Sequence, residues 1–136
     1  MIRIFVLLLV SGLALSCGFS EKREKAEAAA AQFHAELNAS HTAAIYQSAS
    51  DEFRAAGSES DVEAFLGAVR RKLGAFKSAQ TSFVNVNATT AGTFVTLTLT
   101  SQWEQDSAVE DFTFLASESG LKLQHYNINS KTLVVK

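Results

Sequence analysis

The hydrophobic period of this chain changes once, at Gly74, and that change limits the fold more than any other feature. Before it, apolar residues recur at three- and four-residue spacing; after it they alternate. Ala26, Ala30, Phe33 and Leu37 share one face of a first helix, with Glu21–Lys25 and Arg23–Glu27 spaced to pair on its outside. Asn38-Ala39-Ser40 interrupts that pattern. A weaker stripe of Ile45 or Tyr46, Ala49 and Phe53 then predicts a second helix ending near Gly57. Ser60-Asp61-Val62-Glu63 reads as a capping box for a third. Its inner face is Val62, Phe65, Leu66, Val69 and Leu73. Gly74 stands where a C-terminal glycine belongs, and Arg70, Arg71 and Lys72 oppose the helix dipole in the last turn.

Beyond Gly74 the period is two. Phe83 to Asn87 is strand-like, and Ala91-Gly92 marks a turn. From Thr93 to Trp103 the alternation is strict, with Val95, Leu97 and Leu99 facing one way and Thr96, Thr98 and Thr100 the other. That is a half-buried antiparallel strand with a solvated β-branched face. Val109 to Ala116 predicts a third strand with Phe112 and Phe114 inward. Ser117-Glu118-Ser119-Gly120 is a short hairpin loop, Leu121 to Ile128 a fourth strand, and Leu133-Val134-Val135 a brief extension or docked tail. Helices followed by a meander of short-looped strands read as α+β: three N-terminal helices packed on a twisted four-stranded antiparallel sheet.

The start of the chain carries a different signal. Met1-Ile2-Arg3 is positive, and Ile4 to Leu15 is apolar apart from Ser11 and Gly12. A run of that length is too short for a spanning helix, which needs about 20 residues, and fits the core of a signal peptide. It ends in Leu13-Ala14-Leu15-Ser16-Cys17. Small Ser16 before the one cysteine of the chain resembles the lipobox of bacterial lipoproteins, with Ala14 where leucine is commoner. The resemblance implies cleavage before Cys17 and acylation of its thiol, which two or three chains turn into a stable anchor. It divides the chain into a signal peptide (1–16), a lipidated tether (17–25) and one α+β domain (26–136). Gly18 after the cysteine implies an outer-membrane location facing the periplasm. The mature chain would have 120 residues with 11 basic against 14 acidic groups.

Composition narrows the function classes. At 47% hydrophobic the chain is no disordered segment. One cysteine excludes an internal disulfide, and acylation would remove the thiol from redox, nucleophilic or metal chemistry. A formal charge of −2 without a long basic run argues against nucleic acid as the main partner.

The order of elements resembles the cystatin-like and nuclear-transport-factor-2-like cone folds. The stretches Tyr46-Gln47-Ser48-Ala49-Ser50-Asp51-Glu52-Phe53-Arg54, Phe65 to Gly74, Gly92-Thr93-Phe94-Val95-Thr96-Leu97 and Tyr126-Asn127-Ile128-Asn129-Ser130 resemble a family of small bacterial envelope proteins classed as a domain of unknown function. The likeness covers most of the mature chain and implies shape and location. It carries no catalytic residue and no cofactor.

Candidate chemistry is sparse. Alternation puts His125 with Leu121 and Leu123 on the buried face, where a histidine can act as a base or ligand contact. A satisfied histidine at the sheet end is the plainer reading. Trp103 ends the strongest strand and either stacks a ligand or caps the core. Tyr46, Asp51 and Asp111 could combine with His125 in a ketosteroid-isomerase-like pocket, since that chemistry uses Tyr and Asp in a cone fold, though their spacing does not require it. His34 and His41 are separated by the Asn38–Ser40 break, and no histidine–glutamate metal motif is present. Arg70, Arg71, Lys72 and Lys77 form the one basic cluster, able to meet anionic headgroups or to remain a solvated helix end. Asn38-Ala39-Ser40 and Asn87-Ala88-Thr89 match glycosylation sequons. The expected function is a non-catalytic binding or interaction domain, its partners membrane lipid through Cys17 and an envelope protein or a second copy through the threonine-rich face. The alternative is a small-molecule-binding or isomerase/hydratase-like protein built on an internal cavity.

Overall fold

The computed structural model describes residues 14–135, with side chains from residue 18 onward. Most of the expected signal segment and the side chain of Cys17 lie outside the described residues. The elements run α1 (Ala14–Asn38), α2 (Thr42–Ser48), α3 (Asp51–Ala56), α4 (Glu59–Leu73), β1 (Phe76–Thr89), β2 (Gly92–Trp103), β3 (Ser107–Ser117), β4 (Gly120–Asn129) and α5 (Lys131–Val134). The fold is α+β. Its four strands form an open antiparallel sheet in the order β1-β2-β3-β4, and four of its helices precede the sheet.

The helix count departs from the expected three for identifiable reasons. The predicted second helix is two, α2 and α3. Between them Ser50 turns its backbone N–H away from the helix and donates it to Leu123 O of β4 at 2.9 Å. Its hydroxyl then accepts from Phe53 N, capping α3. The expected tail is the short helix α5. The capping box of α4 sits two residues earlier than expected: Ser58 and Asp61 bond reciprocally, and Glu59 and Asp61 fall in the first turn, where the helix dipole favours acids. The helix does end at Gly74, whose φ is +76°. A Cβ there would also stand 2.8 Å from that of Glu104, so two independent constraints exclude a side chain.

The core lies between the helices and one face of the sheet. The predicted stripe of α1, Ala26, Ala30, Phe33 and Leu37, is entirely buried. It meets Val95, Leu97 and Leu99 of β2 and Phe112 and Phe114 of β3, with Leu66, Val69 and Leu73 of α4 closing the side. Burying an aliphatic or phenyl side chain of this size contributes roughly 1.5–3 kcal/mol, so this layer dominates the stability of the domain. Asn38 fastens the far end of α1. Its amide donates to Phe76 O and its carbonyl accepts from Phe76 N, at 3.1 and 2.9 Å, as a neighbouring strand would.

Two features of the sheet escaped the period-two reading. β1 is 14 residues long, paired with β2 along its length and bulged twice, at Phe76/Ser78 and Thr81/Phe83. It is an edge strand and mostly exposed, so its residues need not alternate in polarity. In β4 the register passes from Thr113↔His125 to Phe114↔Leu123, leaving Gln124 as a bulge. One extra residue inverts the alternation. Leu121 and Leu123 face the core, and beyond the bulge Tyr126 and Ile128 do. His125 is exposed on the outer face, contrary to the expectation that it shares the side of Leu121 and Leu123.

Candidate functional site

The bulge brings Tyr126 into a polar cluster at the heart of the core. Glu110 enters from β3, on the same face as Ala108, Phe112 and Phe114, and has no exposed surface. His34 enters from α1, on the stripe of Ala30 and Leu37, and is 3% exposed. Its Nε2 lies 3.0 and 2.9 Å from the two carboxylate oxygens of Glu110. The hydroxyl of Tyr126 donates to Oε1 of the same carboxylate at 2.6 Å. Nε2 and the carboxyl group thus share one hydrogen-bonded contact within the core. Burial, and then the Glu110 charge and hydrogen bond beside it, push the Tyr126 phenol well above the usual tyrosine range. Tyr126 therefore stays a donor at any physiological pH.

Aromatic rings hold the cluster in place. His34 lies flat on Phe76, with centroids 3.6 Å apart and planes within 3°. Trp103 meets His34 edge-on at 6.0 Å, and Tyr126 packs against Phe33 at 4.6 Å and Phe112 at 4.9 Å. Trp103 is buried, its indole N–H donating to Ser101 Oγ at 3.0 Å. It caps the core rather than stacking at an open mouth. Glu110 itself lines neither of the two neighbouring clefts. Its two partners do: Tyr126 lines an apolar groove of about 210 Å³ with Phe53, Val62 and Phe65, and His34 lines a cleft of about 250 Å³ with Glu27 and Thr81.

The residues singled out from the sequence do not meet. Tyr46 is spent on the helical layer, its hydroxyl 3.1 Å from both Arg54 O and Gly57 O. His125 points outward. Asp111 accepts from the Thr98 hydroxyl at 2.7 Å on the outer face of the sheet, and Asp51 pairs with Arg54 inside α3. Tyr46, Asp51, Asp111 and His125 thus build no common pocket. Cys17 contributes its backbone to α1. The basic cluster also divides. Lys72 donates to Leu133 O at 3.3 Å and pins α5, Arg70 reaches Asn38 O, and Lys77 sits on the first bulge of β1. Asn38, the first sequon residue, has its amide committed to Phe76.

A second polar hub orders the C-terminal end. Asp106 Oδ2 accepts from Ser130 Oγ at 2.8 Å, Thr132 N at 3.2 Å and Thr132 Oγ1 at 2.9 Å. These bonds, those from Ser130 and Thr132 first, lower its pKa to about 2.

The central hub was half-visible in the sequence. Period two carries Glu110 onto the face of Phe112, and period 3.6 carries His34 onto the face of Phe33. Among the described residues no group of three or more potential ligands is placed to hold a metal ion, and no helix is long and apolar enough to cross a membrane. In comparisons with known proteins, no family model, curated protein or solved structure matches this chain.

Proposed function

We propose that the protein is a lipoprotein of the bacterial envelope, tethered through acylated Cys17 at the outer membrane and facing the periplasm, whose domain binds a partner or ligand without transforming it. The observation that carries the reading is the position of Cys17 on α1. This helix runs unbroken from Ala14 to Asn38. The first buried residue among its described side chains is Ala26, about 14 Å along the axis from Cys17 at 1.5 Å per residue. The domain would therefore stand at a short, fixed distance from its anchor. Phe19, 46% exposed on the intervening stub, suits an interface between water and lipid.

The non-catalytic half of the proposal is supported by how the titratable groups are used. Glu110, His34 and Tyr126 satisfy one another inside the core. We read the arrangement of helices before a four-stranded meander as cystatin-like or nuclear-transport-factor-2-like, in keeping with small envelope proteins of that shape. An enzyme or carrier working through an internal cavity is the competing reading, and the exposure of His125 removes the residue on which it chiefly rested.

Metabolic labelling with palmitate tests the anchor. The full chain is expected to incorporate label and Cys17→Ala to incorporate none. An unlabelled wild type, or equal label in both, would refute it.

A further inference from the structure

Arg70 and Arg71 stand side by side in the last turn of α4, and neither forms an ion pair among the described residues. Arg70 is half-buried. Its Nη2 reaches Asn38 O only at 3.5 Å, and its Nε–H is buried with no acceptor. No other buried side-chain nitrogen or oxygen among the described residues is left without a partner. Such an orphan is uncommon in a folded protein and requires an explanation. Arg71 is exposed. Its Nη1 lies 3.2 Å from where a Cβ on Gly67 would be. Glycine is a poor choice inside a helix, and here its bare Cα gives the Arg71 guanidinium room to fold back along α4.

Arg70 and Arg71 both line a cleft of about 260 Å³ between α4 and the turn joining α1 to α2. Ser40 and Thr42 form the opposite wall, and Glu63 is the one carboxylate in the lining. Ser40 closes α1 in the left-handed conformation, φ +61°, with its N–H on Leu37 O and the His41 N–H on Glu36 O. Glycine makes this closure most easily. Serine lines the cleft here at a conformational cost.

Two arginines and two hydroxyl-bearing residues against one carboxylate make the lining net-positive and rich in donors, beside the apolar Leu37 and Leu66. Planar guanidinium groups match the oxygens of a phosphate in pairs. The lone Glu63 disfavours a doubly charged ligand and complements an ammonium group. We propose that this cleft binds a singly charged phosphate ester, its oxygens held by Arg70, Arg71 and Ser40, with any amine of the ligand directed to Glu63. A phospholipid headgroup and a free glycerophosphate ester share this chemistry. The site stands whether or not Cys17 is acylated.

The test uses the ¹⁵N-labelled full chain in nonionic detergent micelles and follows the arginine Nε–H resonances by NMR. One arm adds glycerophosphoethanolamine, the other dopes the micelles with phosphatidylethanolamine. Saturable shifts of Arg70 and Arg71 with a Kd of about 1 mM or below are expected in at least one arm. Saturation by the soluble ester identifies a free ligand, and saturation by the lipid alone identifies a headgroup. Arg71→Ala should weaken binding roughly tenfold or more. Ser40→Gly should weaken it several-fold while melting no lower than the wild type. Absence of saturation in both arms, equal shifts with sodium chloride at matched ionic strength, or wild-type binding by both variants would each overturn the proposal.

Discussion

Glu110 and Arg70 both place charged-group atoms out of reach of water, and the fold treats them in opposite ways. Glu110 is given two partners from two different elements, and both of its side-chain oxygens are engaged. Arg70 keeps a buried Nε–H that nothing in the chain accepts. The first arrangement has no capacity left for a ligand and holds α1, β3 and β4 together. The second leaves its capacity unspent at the edge of a cleft. Removing groups from one should therefore cost stability, and removing them from the other should cost binding.

The largest effect is expected at His34. His34→Ala takes a partner from the fully buried Glu110 and leaves a cavity in the core, which together cost about 3 kcal/mol. That is a large part of the 5–15 kcal/mol typical of a domain. Chemical denaturation measures it, and a loss under about 1 kcal/mol would mean that Glu110 does not depend on the imidazole. Tyr126→Phe leaves His34 in place and should cost about 1–2 kcal/mol. The same substitution sharpens the electrostatics. The folded phenol titrates above its unfolded value, so its contribution is intact at neutral pH and is lost only as the pH rises beyond the ordinary tyrosine range. Spectrophotometric titration of the folded wild type should show a tyrosine resisting ionisation there, and Tyr126→Phe should lose that component.

Asp106 should give a smaller effect confined to acid. Its folded pKa of about 2 lies below its ordinary 3.8. The stability it supplies is complete above that ordinary value and fades as the pH falls toward 2. Loosening of α5, followed by amide exchange at Thr132, should track that window in the wild type and be insensitive to it in Asp106→Asn. Smallest of all, His125→Ala and Arg71→Ala should each change the melting free energy by no more than about 0.5 kcal/mol, as exposed side chains do. A large loss in His125→Ala would contradict its outward placement.

What the sequence disclosed follows the range of the interactions involved. The stripe of α1, the alternation of β2 and the glycine stop at Gly74 depend on neighbours a few residues away, and all three stand in the structure. β1 was only partly legible because an exposed edge strand has no face that must be apolar. The split between α2 and α3 is decided by a hydrogen bond from Ser50 to Leu123, far along the chain. The central cluster shows both cases. Periodicity places Glu110 and His34 inward one at a time, but their meeting is tertiary. The third member depends on Gln124, a single unpaired residue that no local pattern announces.

α1 has a mechanical consequence as well. The helix that begins beside Cys17 also carries His34 into the cluster and ends with Asn38 clasped to the first residue of β1. It has no hinge along that length. A load applied at its N-terminal end is carried along the helix axis, as shear, by a buried hydrogen-bonded contact, a stack of rings and a pair of hydrogen bonds in parallel. Such a strut yields by sliding whole rather than unzipping turn by turn, so under the proposed anchoring at Cys17 the domain would follow the motion of its attachment point without slack.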